Sequence, residues 1–119
     1  MHGFLIVAAA LHAFFMLGEL LPWEAPLVLQ KVSRKLPKGE PFSKEQQSLV
    51  ATIVHNVGIY NGIVAGGLFW AAFAGAAAPD VARVLLIGAT AAGLFGTVTL
   101  KSPLTAVQAI VGIIGLLLL

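Results

Sequence analysis

A chain of 119 residues that is 59% hydrophobic and only 10% charged cannot clothe a water-soluble domain, whose charged fraction is about 25%. Its length matches four apolar helices of about 20 residues with short connections, and no separate soluble domain is expected. The absence of cysteine excludes disulfides and thiolate metal sites. The net charge of +2 is concentrated in one loop, which speaks for a membrane surface rather than for nucleic acid.

The first span is expected over about 3–22. Gly3 to Leu11 is apolar on every side, as a lipid-embedded helix requires. A cleaved signal would want lysine or arginine ahead of the run and small residues at a cleavage site. Here Met1 and His2 precede it, and Glu19, Pro22 and Trp23 close it, so a retained span is the expectation. Residues 23–48 form the hydrophilic loop, with Lys31, Arg34, Lys35, Lys38 and Lys44 set against Glu24, Glu40 and Glu45 and broken by Pro26, Pro37 and Pro41. Leu27, Val28 and Val32 are placed to form one face of a short interfacial helix. Ser43 with Gln46 three residues on reads as a capping box opening the next helix.

The second span is expected over about 49–75, followed by a turn through Pro79 and Asp80, where a carboxylate favours a helix start. The third covers about 81–100. Lys101 and Ser102 connect it to a fourth over 103–119, with Pro103 acceptable in a first helical turn. Six of the seven lysines and arginines lie in the first loop or at Lys101, and only Arg83 lies on the other side. The positive-inside rule then places the basic loop in the cytoplasm and both termini on the outer side. Fold class is therefore all-α, a four-transmembrane-helix bundle forming a single membrane domain. Gly88, Ala92 and Gly96, and likewise Gly58, Gly62 and Gly66, recur every four residues; such smooth stripes serve packing within the bundle or a homodimer.

Polar side chains inside a span cost energy and mark function or helix association. The first span carries His12 and Glu19, seven residues apart and so nearly on one face. Thr52, Asn56 and Tyr60 make a stripe on the second, flanked by His55 and Asn61. Thr90 and Thr97 lie on the third, Thr105 and Gln108 on the fourth. At about 1.5 Å per residue, Glu19, Thr52, His55, Asn56, Thr97 and Gln108 fall in the cytoplasmic half, with His12, Tyr60 and Asn61 nearer the midplane. The expectation is a polar pocket opening toward the cytoplasm.

His12-Ala-Phe-Phe-Met-Leu-Gly-Glu19, followed by Trp23 and Pro26, resembles the first helix of the domain-of-unknown-function 1304 family of small bacterial membrane proteins. Asn56-Val-Gly58-Ile-Tyr60-Asn61-Gly62 is similar to that family's Asn-Gln-Gly-Leu-Tyr-Asn-Gly signature. Gly93-Leu-Phe-Gly96 and Gln108 are similar to its later Gly-Ile-Tyr-Gly and glutamine positions. Two departures stand out: His55 precedes the asparagine, and Val57 replaces the polar glutamine. The resemblance covers essentially the whole chain and implies a four-helix membrane protein without implying an activity.

His12, Glu19, His55, Asn56, Tyr60, Asn61 and Gln108 are the expected ligand-binding or proton-carrying groups. The leading expectation is binding or transport of a small hydrophobic or cationic molecule, or a proton, in a bacterial inner membrane. One alternative is a membrane enzyme using His12 with Glu19 or Tyr60 for acid–base chemistry on a lipid-like substrate. Another is an accessory subunit docking through the basic loop. No cofactor and no metal are expected: His12, His55 and Glu19 suit zinc chemically, but spread over two helices they form no ligand motif. Phosphate loop, nucleophile elbow, haem attachment and nucleic-acid motifs are absent.

Overall fold

The computed structural model describes residues 1–22, 43–75 and 78–119. Four helices stand in this order: α1 His2–Glu19, α2 Lys44–Ala71, α3 Ala78–Leu100 and α4 Pro103–Leu118. The first three are long and apolar enough to cross a membrane, while α4 has 16 residues and is shorter. The short helix expected around Leu27, Val28 and Val32 lies outside the described residues, as do Lys31, Arg34, Lys35 and Lys38.

Local chemistry sets the helix starts. Ser43 Oγ accepts from the Gln46 amide at 3.3 Å, and the Ser43 N–H donates to Gln46 Oε1 at 2.9 Å. This reciprocal box satisfies backbone donors that otherwise have no partner. It starts α2 at Lys44, ahead of the apolar run. Helix α3 starts at Ala78, so Pro79 and Asp80 sit in its first turn instead of in the preceding connection. Proline's missing N–H costs nothing there, and Asp80 accepts from Arg83 at 3.1 Å. After α3, Lys101 takes a positive φ of 50°. That reverses the chain before Pro103, which opens α4.

Small residues lie inside and large ones outside. Of the thirteen buried hydrophobic residues described, ten are alanines and three are Leu5, Leu68 and Leu86. Phe14, Ile53, Phe69, Phe95 and Leu117 all face outward. Water would penalise so much apolar surface. In lipid, however, helices gain from close backbone approach and not from hiding leucine.

The bundle is two helical hairpins. Helix α1 lies along α2 and α3 along α4; α2 touches α3 less, and α1 touches α4 less still. The glycine stripes seat these pairs differently from a strict four-residue spacing. On α3 the buried line runs Ala82, Leu86, Ala89, Gly93, Gly96, while Gly88 and Ala92 face outward. A helix has 3.6 residues per turn, so a contact line must alternate steps of three and four. Gly93 lets the α4 backbone close in: a Cβ there would sit 2.8 Å from Thr105 O and 2.9 Å from Ala109 Cα. On α2, Gly58 faces Glu19 and Gly62 faces Met16, whereas Gly66 meets nothing.

Candidate functional site

Helices α1 and α4 converge at one end of the bundle and part at the other. Near Met1 and Leu119, Phe4 closes over Gly115, where a Cβ would lie 2.8 Å from the ring. Midway along, His12 of α1 meets Gln108 of α4. Beyond that contact the two helices enclose a cleft of about 340 Å³. Phe14, Phe15, Gly18 and Glu19 line it from α1, Leu100 and Ser102 from the α3–α4 corner, and Leu104, Thr105 and Gln108 from α4. Phe14, Leu100 and Leu104 are exposed, so the cleft opens sideways between the helices.

His12 closes the inner end. It is 1% exposed, a burial that requires its ring nitrogens to be bonded. Nδ1 lies 2.9 Å from Ala8 O one turn back and donates to it. Nε2 lies 3.4 Å from Gln108 Nε2, and the Phe15 ring meets the imidazole edge-on with centroids 6.0 Å apart. At the outer end, Asn61 Nδ2 donates to Glu19 Oε2 at 2.7 Å. Gly58 makes this pair possible: a Cβ there would come within 3.1 Å of Glu19 Cβ.

The structure brings together two pairs among the candidate residues, Glu19 with Asn61 and His12 with Gln108. Glu19 and Gln108 both face the cleft. His55 stands apart, donating its Nε2–H to Leu21 O at 3.1 Å and tying the chain after α1 to α2. Thr52, Asn56 and Tyr60 do not join the cluster. Thr52 donates to Ser48 O, Asn56 donates to Thr52 O at 3.0 Å, and Tyr60 is 69% exposed. The reason is angular. Tyr60 lies two residues from both Gly58 and Gly62, about 200° around the helix from the face that packs on α1. The glycines were the signal for which stripe turns inward; polarity pointed to the opposite one.

His12 takes its partner from α4, so the second-helix groups Tyr60 and Asn61 play no part in seating it. Thr105 donates to Ser102 O at 2.7 Å and Thr97 to Gly93 O at 2.7 Å, with the two hydroxyls 3.4 Å apart. The aromatic and leucine walls leave no signal in the sequence, because an apolar residue in an apolar helix carries no mark of what it faces. Among the described residues no three His, Cys, Asp or Glu side chains gather as a metal site needs. A second groove of about 360 Å³ between α1 and α2, walled by Ala10, Ala13, Gly66 and Phe69 among others, has only apolar lining residues.

A family described as "Protein of unknown function (DUF1304)" matches residues 6–119. The chain belongs to this family. The match takes in α1 from Ile6 onward, the other three helices whole and every residue of the cleft, in keeping with the motifs around His12, Asn61 and Gln108. The uncharacterized protein YpaA of Lactococcus lactis subsp. lactis (strain IL1403) is similar, with 33% identity over 72 residues. That stretch is 60% of this chain and 60% of that relative's length. No solved structure matches. DUF1304 membership thus fixes kinship, and the chemistry of the cleft carries the functional argument.

Proposed function

We propose that this DUF1304 protein is a four-span membrane protein whose α1–α4 cleft binds a small amphiphilic molecule reached from within the bilayer. One observation carries the reading: a carboxylate, Glu19, and an amide, Gln108, share with the hydroxyls of Ser102 and Thr105 a mainly apolar cleft of about 340 Å³. Ligand sites combine such volume and apolar walls with a few polar groups that orient the guest. Exposed Phe14, Leu100 and Leu104 at the rim support entry from lipid. Transport of the same molecule, with Glu19 as the coupling carboxylate, extends the reading. The acid–base alternative has less support, since His12 is sealed and both its nitrogens are engaged. Titrating a lipophilic fluorescent amine into the protein in nanodiscs should give saturable binding. Glu19→Gln should weaken it about tenfold, as loss of one charged contact does. Binding that never saturates, or is indifferent to Glu19→Gln, would overturn the proposal.

The charge pattern supports an orientation with the basic loop and Lys101 in the cytoplasm and both termini outside, in a bacterial inner membrane. The chain has no cysteine, so a single introduced thiol reports sidedness. In intact cells Asp80→Cys should react with an impermeant maleimide and Lys44→Cys should not. The reverse pattern would invert the topology.

A further inference from the structure

We infer that the cleft is a set of hydrogen-bond acceptors that selects a lipophilic ammonium ion bearing an N–H, and that His12 is the positioning residue holding Gln108 in its accepting orientation. This rests on the cleft reading above and names its ligand class.

The argument follows the polarity of a hydrogen-bond chain. His12 is sealed and forms no ion pair among the described residues; a buried ring without a counter-charge is neutral. Its Nδ1 faces Ala8 O at 2.9 Å. A carbonyl only accepts, so the ring proton is on Nδ1 and Nε2 presents a bare lone pair. Gln108 can satisfy that lone pair only with its NH₂, and its Nε2 is the atom 3.4 Å away. Turning the amide over would set oxygen against the ring lone pair. Oε1 is therefore held on the other branch of the amide, and it bonds to no described residue. Yet no fully buried side-chain oxygen or nitrogen lacks a partner, and Gln108 lines the cleft. Its carbonyl oxygen thus reaches the cleft.

The other polar lining has the same sense. Thr105 commits its hydroxyl proton to Ser102 O at 2.7 Å, leaving lone pairs on Oγ1. Glu19 accepts from Asn61 and brings carboxyl oxygens, acceptors again, to the cleft. Among the described residues neither lysine nor arginine lines the cleft, and Ser102 supplies the one lining hydroxyl whose proton bonds to none of them. A guest that accepts hydrogen bonds would face lone pairs. A guest carrying a cationic N–H would find the Glu19 carboxyl, the Gln108 carbonyl and the Phe14 and Phe15 rings, whose faces attract cations.

The test uses three probes with one apolar body: a butyl-substituted N,N-dimethylbenzylamine, its N-trimethyl quaternary form and the neutral isopropyl hydrocarbon. Binding to the full chain in nanodiscs is measured at neutral pH against empty nanodiscs. The protonated amine should bind about tenfold more tightly than the quaternary ion, the worth of one hydrogen bond to a charged donor, and the hydrocarbon weakest. In His12→Leu and in Gln108→Leu that ratio should fall to about twofold or less while the quaternary ion still binds. A merely structural role for His12 would weaken all probes together and leave the ratio standing. Should His12→Leu fail to fold, Gln108→Leu decides alone, since the His12–Ala8 bond stays within α1. Equal amine and quaternary affinities in the wild type, tightest binding of the hydrocarbon, or a ratio unchanged by Gln108→Leu would overturn the inference and leave the cleft reading intact. Saturable binding of none of the three would overturn both.

Discussion

Toward the end of the bundle near Met1 and Leu119, Leu5, Ala8, Ala9, Leu68, Ala71, Ala72, Ala82 and Leu86 form one core cluster drawn from α1, α2 and α3. Toward the other end, Glu19, Ser102, Thr105 and Gln108 line an open cleft, with Asn61 bonded to Glu19 and Thr97 beside Thr105. Both ends are made of the same kind of helix, in the same solvent. They differ in what stands between α1 and α4. At the closed end a phenylalanine lies over a glycine, and nothing keeps the backbones apart. At the open end Phe14, Phe15 and Glu19 of α1 face Leu104, Thr105 and Gln108 of α4 across the cleft. A membrane helix bundle gains stability from close contact, and the cleft is the stretch where α1 and α4 give up part of it.

The strongest challenge to this contrast is a matched pair of truncations. Leu86→Ala, at a fully buried leucine of the closed end that touches the Gly115 position of α4, should cost about 3 kcal/mol in reversible unfolding from mixed micelles. Leu104→Ala, on the half-exposed wall of the cleft, should cost about 0.5 kcal/mol or less. Comparable costs would mean that both ends are equally packed. Next in size are the glycines. A Cβ at Gly112 would collide with the Thr90 hydroxyl and lie 3.0 Å from the Thr90 amide nitrogen. Gly112→Ala should therefore destabilise by about 2 kcal/mol. Gly88→Ala meets nothing and should be neutral or stabilise by about 0.5 kcal/mol through helix propensity. Smallest is Arg83→Ala. Its partner Asp80 is 87% exposed, and the pair should contribute no more than about 0.5 kcal/mol. A larger loss would show the closed end to depend on its rim charges.

The polar residues were visible from the start, and their pairing was not. His12 and Glu19 stood out because imidazole and carboxylate are rare in apolar runs, and both reach the cleft region. Asn56 and Tyr60 looked equally conspicuous, but they face outward. Facing direction depends on where the neighbouring helix lies, and a polar side chain can be satisfied by its own backbone one turn back, as Asn56 is by Thr52.

Hydropathy and length by themselves determined four apolar helices, because spans of that length in a chain this poor in charge admit no other backbone arrangement that satisfies its own hydrogen bonds. Local chemistry determined the starts of α2 and α4: Ser43 and Gln46 close a capping box three positions apart, and Pro103 suits a first helical turn. Only the tertiary structure decided that α1 and α4 are neighbours, that they part beyond His12 and Gln108, and that Glu19 and Gln108 look into one cleft. Those facts depend on how glycines on three helices set backbone distances. Contacts between residues 96 positions apart leave no periodic trace in the chain.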